Sequence, residues 1–501
     1  MEIINEDIFL VIDLGTTQCK VAISNLNAEI LDSIIGTYKL YIPAPNWVEQ
    51  NPNEWWDTIC FCTKTLLNRN KLNIKNIKGI GFTAQMLGTI PVDSNGNNLS
   101  NAIIWLDSRA TDVAKEKSMS GLFRIKGINA KLLIKFVTKL GGGPGTGGKD
   151  PIWKILWIKK HWPDVYDKTY KFLDCKDYLL LKSTGSFVTS PDSANLTWLF
   201  DNRPNHFNWS EDFCSLFKIS IEKLPQVKNS TEIVGYLTES AANELGLIPK
   251  IPVICGAGDA TISAIGSGAI KEKDVHIYLG TSAWIACHVS KRLLDIWNYM
   301  GSICSAIPHK YLFIAEQELA GGCVDWFIKN MAEELIEKES IEKNRFQLFD
   351  EIANQSPAGS NNLIFLPWMF GERSPIDNDL VRGAFYNLSI VNSKPDIYRS
   401  ILEGVCFHIK WVFEGFEKKI EKINECYIAG GGAKSDIWCQ ILADITNKKI
   451  KRPENPLHIG TIGTAILIGI GIGIYKNFDE VSNIIKIKDI FIPNSENFKI
   501  Y

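Results

Sequence analysis

The sequence predicts an α/β protein made of two similar halves, and three observations carry that prediction. The apolar run Ile8-Phe9-Leu10-Val11-Ile12 meets Asp13-Leu14-Gly15-Thr16-Thr17, and far downstream His276-Ile277-Tyr278-Leu279 meets Gly280-Thr281-Ser282. A strand-like run over 425–429 is followed by Gly430-Gly431-Gly432-Ala433 and then a helical pattern over 437–446, a strand, glycine turn and helix that suit a nucleotide. The length of 501 residues exceeds what one hydrophobic core serves, so two domains are expected, over 1–249 and 250–501.

The elements follow in order. Residues 8–35 read as a hairpin, with apolar runs at 8–12 and 20–24, a polar turn at Asn25-Leu26-Asn27-Ala28, and a third extended run after it, which is how actin-like domains begin. Asn51-Pro52-Asn53-Glu54 supplies an N-cap and a proline in the first helical turn, and Trp55, Ile59, Cys62 and Leu66 then fall at helical spacing. A strand is expected over 77–82. Glycine-rich 141–148 reads as a flexible connector, because neither glycine nor proline favours a regular element there. A packed helix with Trp153 and Trp157 ends before Pro163. In the second half, Pro252-Val253-Ile254-Cys255 runs into Gly256-Ala257-Gly258-Asp259, and Ala260, Ile262 and Ala264 indicate a helix after it. A long helix over 396–418 carries the stripe Ile397, Ile401, Val405, Ile409, Val412 and Phe416, with Gly404 allowing close approach. The apolar stretch over 465–475 is too short to span a bilayer and reads as a buried helix.

Composition removes several classes of function. With 54 basic and 56 acidic residues the formal charge is −2, which offers no field for nucleic acid. The 12 cysteines show no metal-ligand spacing and are expected as reduced, mostly buried thiols, while the seven histidines form no HxxxH pair. The acidic start and the lack of a long apolar run point to a cytoplasmic protein with no membrane partner.

Phosphoryl transfer needs donors around phosphates, a divalent cation and a base near the accepting hydroxyl. Asp13, at a strand end, is a candidate magnesium ligand, Gly15, Thr16 and Thr17 offer N–H and O–H donors, and Lys20 adds positive charge. Asp259, on a glycine-bracketed turn opening a helix, is the candidate catalytic base; a plain helix cap fits the same spacing. Gln85, Met86, Trp105, Asp107 and Arg109 form a third cluster that could hold a polyol, although a surface ion pair of Asp107 and Arg109 is the simpler reading from the residues alone. Trp368, Glu372 and Arg373 are open to two readings, lining a cleft or stapling a loop by an ion pair, of which the staple is favoured.

Taken together and in this order, Asp13-Leu14-Gly15-Thr16-Thr17, Gln85-Met86, Trp105-x-Asp107-x-Arg109, Lys154-Ile155-x-Trp157, Gly258-Asp259, Gly280-Thr281-Ser282, Gly371-Glu372-Arg373-x-Pro375 and Gly430-Gly431-Gly432-Ala433 resemble the FGGY carbohydrate kinases, and most resemble their xylulokinase-like members. The resemblance implies two actin-like (ribonuclease H-like) ATPase domains flanking a central cleft, and ATP-dependent phosphorylation of a small sugar or polyol, with ATP and Mg2+ as cofactors. It implies Asp259 as base and, with Asp13, as metal ligand. It implies nucleotide contacts from Thr16, Thr17, Lys20, Gly280, Thr281, Gly321, Gly431, Gly432 and Ala433, and sugar contacts from Gln85, Met86, Trp105, Asp107, Arg109 and Asp259. Leu87 stands where xylulokinases are expected to carry histidine and Ala260 where asparagine is expected, so the sugar stays open, as does a homodimer. The rival reading is a non-catalytic actin-fold sensor of sugar or nucleotide, against which both aspartates argue.

Overall fold

A computed structural model describes residues 6–340, 342–482 and 484–501. The chain divides into two compact units. The first comprises residues 1–262, 303–311 and 460–484, and the second 263–302, 312–459 and 485–501.

The first unit is built on β1 (Ile8–Leu14), β2 (Gln18–Asn25) and β3 (Ile30–Thr37), an antiparallel meander as the apolar runs predict. Helix α1 (Pro52–Asn70) starts where expected, with the Asn51 side chain accepting the N–H of Asn53 at 3.0 Å. Strand β4 (Ile77–Ala84) then pairs parallel to β1. Helices α2 (Pro151–His161) and α3 (Cys175–Thr184) follow, then β5 (Ile233–Tyr236), β6 (Pro252–Ile254), β7 (Ala257–Gly258) and α4 (Asp259–Ser267). The sheet order is β5-β6-β4-β1-β2-β3, with β7 also pairing to β4. Buried Ile8, Leu10, Ile12, Val21, Ile23, Trp55 and Ile59 place one core between the meander and α1.

The 141–148 loop is irregular, as its composition requires, but it is packed down rather than loose. Gly148 has φ +75°, and a Cβ there would lie 2.2 Å from the Thr111 nitrogen, while Trp153 Nε1 donates to the Gly145 carbonyl at 2.8 Å. Its glycines serve close approach, a role that composition does not distinguish from slack.

The second unit repeats the frame. Strands β8 (Val275–Leu279) and β9 (Ala283–Val289) form a hairpin. After β10 (Leu294–Asp295), β11 (Met300–Cys304) and β12 (Tyr311–Gln317) come helix α5 (Gly321–Met331) and the long α6 (Lys394–Ile420). In α6 a Cβ on Gly404 would sit 2.2 Å from the Phe365 carbonyl, so glycine alone permits that packing. Strand β13 (Glu425–Ala429) lies parallel to β8, followed by α7 (Asp436–Thr446), β14 (Lys449–Pro453), α8 (Ile459–Gly471) and β15 (Ile487–Phe491). The order is β10-β11-β12-β9-β8-β13-β14-β15.

From residue 460 onward α8 belongs to the first unit, where it lies on β4. Gly79 and Gly81, two apart on one face of that strand, make room for it: a Cβ on either would meet Ile468 within 3.0 Å. The helix begins six residues before the apolar stretch seen in the sequence. Among the described residues no helix is long and apolar enough to cross a membrane.

Candidate functional site

In the first unit the carboxyl ends of β1, β4 and β7 come together, the place where open α/β sheets bind ligands. Asp13 of β1 is in register with Thr83 of β4, and Thr83 is in register with Ala257 of β7, two residues before Asp259. Asp13 and Asp259 are thereby close enough for their charges to interact. Burial, then repulsion from Asp13, and more weakly from Asp174 and Asp192, push the Asp259 carboxyl up to about 7. Burial also raises Asp13, offset in part by the Lys20 ammonium opposite it on β2, and burial lowers Lys20.

The turn bearing Asp259 is fixed by close contacts, most strictly at Gly256. Gly256 has φ +68°, and a Cβ there would lie 2.0 Å from the Phe82 carbonyl. A Cβ on Gly258 would strike the Met86 side chain at 2.4 Å, so Met86 lies directly on the step before Asp259. Asp192, wholly buried, accepts the N–H of Gly258 at 2.7 Å and the hydroxyl of Thr261 at 3.1 Å. On the other carboxylate, α8 approaches so closely that a Cβ on Gly460 would lie 2.5 Å from Asp13 Oδ2.

A polar chain runs from the 15–17 loop into the third sequence cluster. Trp105 Nε1 donates to Thr16 Oγ1 at 3.0 Å, Gln50 Nε2 donates to the Thr16 carbonyl at 2.5 Å, and Gln85 Nε2 donates to Gln50 Oε1 at 2.7 Å. Gln85 Oε1 is buried with no protein partner, an acceptor waiting for a donor. Thr17 is exposed at the tip of the loop.

Asp107 and Arg109 form a buried pair, not a surface one. Arg109 Nη2 donates to Asp107 Oδ2 and to Glu49 Oε1, each at 2.7 Å, and its guanidinium lies 4.0 Å from the Trp47 ring centroid. Asp107 is fully enclosed and also accepts the N–H groups of Val48 and Arg109, so the pair holds the Trp105 segment in place and presents no oxygen outward.

In the second unit three glycine segments converge on one hairpin tip. The N–H of Gly321, opening α5, donates to the Gly280 carbonyl at 2.8 Å, and that of Gly322 to the Thr281 carbonyl at 3.0 Å. A Cβ on Gly321 would lie 2.6 Å from the Gly280 carbonyl, and one on Gly432 would lie 2.6 Å from the Leu279 side chain. Gly431 faces open space, with nothing within 4 Å of a Cβ built there, and Thr281 is exposed. Ala433 is buried, its carbonyl taken by Arg452 Nη1 at 3.0 Å, and it supports the turn from behind. Elsewhere in this unit Arg373 pairs with Glu316 and Glu318, and buried Glu372 accepts the N–H groups of Glu318 and Arg373, so this segment is a staple.

Asp192, Asp174, Lys154, Gln50 and Gly460 all bear on the site and were not singled out as site residues from sequence. Asp174 carries a local signal, an acid three residues before Asp177 at a helix start, the spacing of a capping box, and Lys154 stands in the Lys154-Ile155-x-Trp157 motif quoted above. All 12 cysteines are free thiols, 11 of them buried. Among the described residues no three or more His, Cys, Asp or Glu side chains form a metal cage. Magnesium does not need one, since one or two carboxylates beside phosphate oxygens and water suffice, and the Asp13–Asp259 pair fits that demand.

The chain resembles known proteins along its length. The sequence profile of the FGGY family of carbohydrate kinases matches with its N-terminal domain over residues 8–266 and its C-terminal domain over 276–472. Xylulose kinase of Staphylococcus epidermidis is 31% identical over 500 residues, 99% of this chain and 94% of the relative. A ligand-bound xylulose kinase structure from Lactobacillus acidophilus superposes with a TM-score of 0.86 at 24% identity, covering 99% of this chain and 95% of the other. A gluconate kinase from the same organism gives 0.85 at 25% identity, covering 99% and 96%. The fold is that of two actin-like ATPase domains.

Proposed function

The chain belongs to the FGGY family of carbohydrate kinases and is an ATP-dependent sugar kinase, and on that premise we propose that it phosphorylates a hydroxyl of a small, pentulose-like sugar or polyol in the cytoplasm, with Asp259 as general base. The observation that carries this reading is the carboxylate pair at the strand ends: Asp259, held up to about 7 by burial and by Asp13, is poised to take a proton near neutral pH. Asp13, with Asp259, is the seat for Mg2+, which when bound neutralises charge on the phosphate oxygens. Thr16, Thr17 and Lys20 supply donors and charge to the phosphates from the first unit. Gly280, Thr281, Gly321, Gly431 and Gly432 form the nucleotide-binding surface of the second unit, with Ala433 as its support. The sugar contacts are proposed for 1–249 plus Asp259, and the bulk of the nucleotide contacts for 250–501.

Gln85, through its unpartnered oxygen, Met86 and Trp105 are the proposed sugar contacts, while Asp107 and Arg109 shape that surface from behind. Xylulose is the first acceptor to try, because the Staphylococcus relative is a xylulose kinase. Leu87 and Ala260 provide no polar group, so hydroxyls that a histidine and an asparagine would meet go unmatched, which alters discrimination by orders of magnitude. The test is acceptor-dependent ADP release with xylulose, other pentuloses, pentitols, gluconate and glycerol. Release with at least one acceptor is expected. Tight sugar binding with silence across the panel would favour the sensor reading instead.

A further inference from the structure

The peptide group joining Leu87 to Gly88 is held by an ionisable side chain at each end. Lys154, with no solvent exposure, donates from Nζ to the Leu87 carbonyl at 2.8 Å and to the Ile104 carbonyl at 2.8 Å. Asp174 Oδ1 accepts the N–H of Gly88 at 2.8 Å while also accepting that of Cys175 at 2.8 Å. The two side chains come from different helices, α2 and the N-cap of α3, and meet the same peptide from its oxygen and its nitrogen ends.

That peptide is under strain. Leu87 has φ +65°, a conformation that a residue with a Cβ takes at a cost, and Gly88 separately allows the close approach of Cys175, whose Sγ would lie 2.5 Å from a Cβ built there. Lys154 makes no ion pair among the described residues; its buried Nζ is satisfied by carbonyl oxygens, with Asp107, Asp150 and Asp174 near enough to favour its charged form. Such an expense of desolvation is understandable if the ammonium holds a backbone that does not hold itself, since charge-assisted hydrogen bonds are roughly twice as strong as neutral ones.

Resting on the assignment of Gln85, Met86 and Trp105 to the sugar, we infer that Lys154 and Asp174 are positioning residues that clamp the Leu87–Gly88 peptide and so fix the sugar-facing segment. The segment before the peptide carries Gln85, whose oxygen is free, and Met86, which lies on Gly258 beside Asp259. The same ammonium reaches Ile104, the residue before Trp105, so one side chain ties together both segments of the proposed sugar surface.

The test uses K154M, D174A, D174N and the K154M/D174A double variant in the full-length protein. It reads kcat and KM for the best acceptor of the panel above, KM for ATP, and hydrogen exchange at the Gly88 amide. Each of K154M and D174A is expected to raise the acceptor KM about tenfold, with ATP KM within about twofold, and D174N, which keeps an acceptor oxygen, to recover most of the loss. The double variant should be no worse than the worse single, because either change alone releases the same peptide. Exchange at Gly88 should quicken in K154M, although Lys154 does not touch that N–H. Unchanged acceptor KM, parallel rises in both KM values, multiplying effects in the double variant, or unchanged Gly88 exchange in K154M would each overturn the inference. If K154M does not fold, D174A against D174N decides it by the same readouts. A wild-type protein silent on every acceptor would refute the sugar-kinase assignment of this surface, and Gly88 exchange would still decide the clamp.

Discussion

The hairpins β1–β2 and β8–β9 share one backbone plan and differ at one step. In both, a leucine precedes the glycine of the tip, Leu14 pairing with Cys19 and Leu279 with Ala283, and in both a parallel strand lies alongside. One residue earlier the chemistry parts. Asp13 faces Lys20 across the first hairpin, whereas Tyr278 stacks on Trp284 across the second, ring centroids 3.9 Å apart and planes within 9°. The first unit also gathers Asp174, Asp192 and Asp259 around its strand ends, while the second gathers glycines around its tip. A repeated frame therefore supplies a place, and the residue at the strand end sets the chemistry available there: a mutually repelling pair of carboxylates suits the proposed cation and proton, and a glycine-lined aromatic surface the proposed nucleotide.

That contrast can be broken by experiment. D13N should remove the proposed metal ligand of the pair and lower kcat by roughly 10²–10³-fold, with a raised magnesium requirement in the same assay. A comparable loss in a variant of Tyr278 with D13N nearly silent would reverse the assignment of the two hairpins. G321A, whose new Cβ would lie 2.6 Å from the Gly280 carbonyl, should raise the KM for ATP about tenfold and leave the acceptor KM in place, as read from two-substrate kinetics. Equal rises in both would mean that the tip serves more than the nucleotide.

Smaller effects sharpen the account of Asp259. Its carboxyl, held at about 7, is protonated on the acid side and cannot accept a proton there, so kcat/KM should fall as pH drops below about 7. D13N, by removing a charge that raises Asp259, should move that limb to lower pH in its residual activity; an unmoved limb would uncouple the pair. Because the folded-state pKa lies above the ordinary carboxylate value, ionisation of Asp259 opposes folding, and this contribution to stability is lost as pH rises from about 4 through about 7. D259N should therefore gain more thermal stability at pH 8 than at pH 5, by about 1–2 °C for each kcal/mol relieved in a chain of this size. Calorimetry at the two pH values checks it.

The repeat, the capped helix α1, the long α6 and the turn at Asp259 are legible in the sequence because each rests on neighbours within one or two turns of chain. Asn51 and Pro52 mark a helix start locally, and Gly256 marks a turn locally. The rest depends on residues far apart. Nothing near Gly460 tells that it must spare room for Asp13, and nothing near Asp192 tells that it will hold Gly258. Asp107 and Arg109 show the same limit: spaced two apart they look like a surface pair, and only Glu49 and Trp47 reveal that they are enclosed. The glycines of 141–148 read as slack because composition gives the freedom of a backbone and not what is packed against it.

The central claim is that Asp259 accepts the proton of the attacking hydroxyl. The direct measurement is acceptor-dependent ADP release by D259N beside wild type, with ATP binding followed by calorimetry. Turnover lower by roughly 10²–10⁴-fold with ATP affinity retained is expected, the usual scale for a positioned base. Turnover equal to wild type in D259N would contradict it.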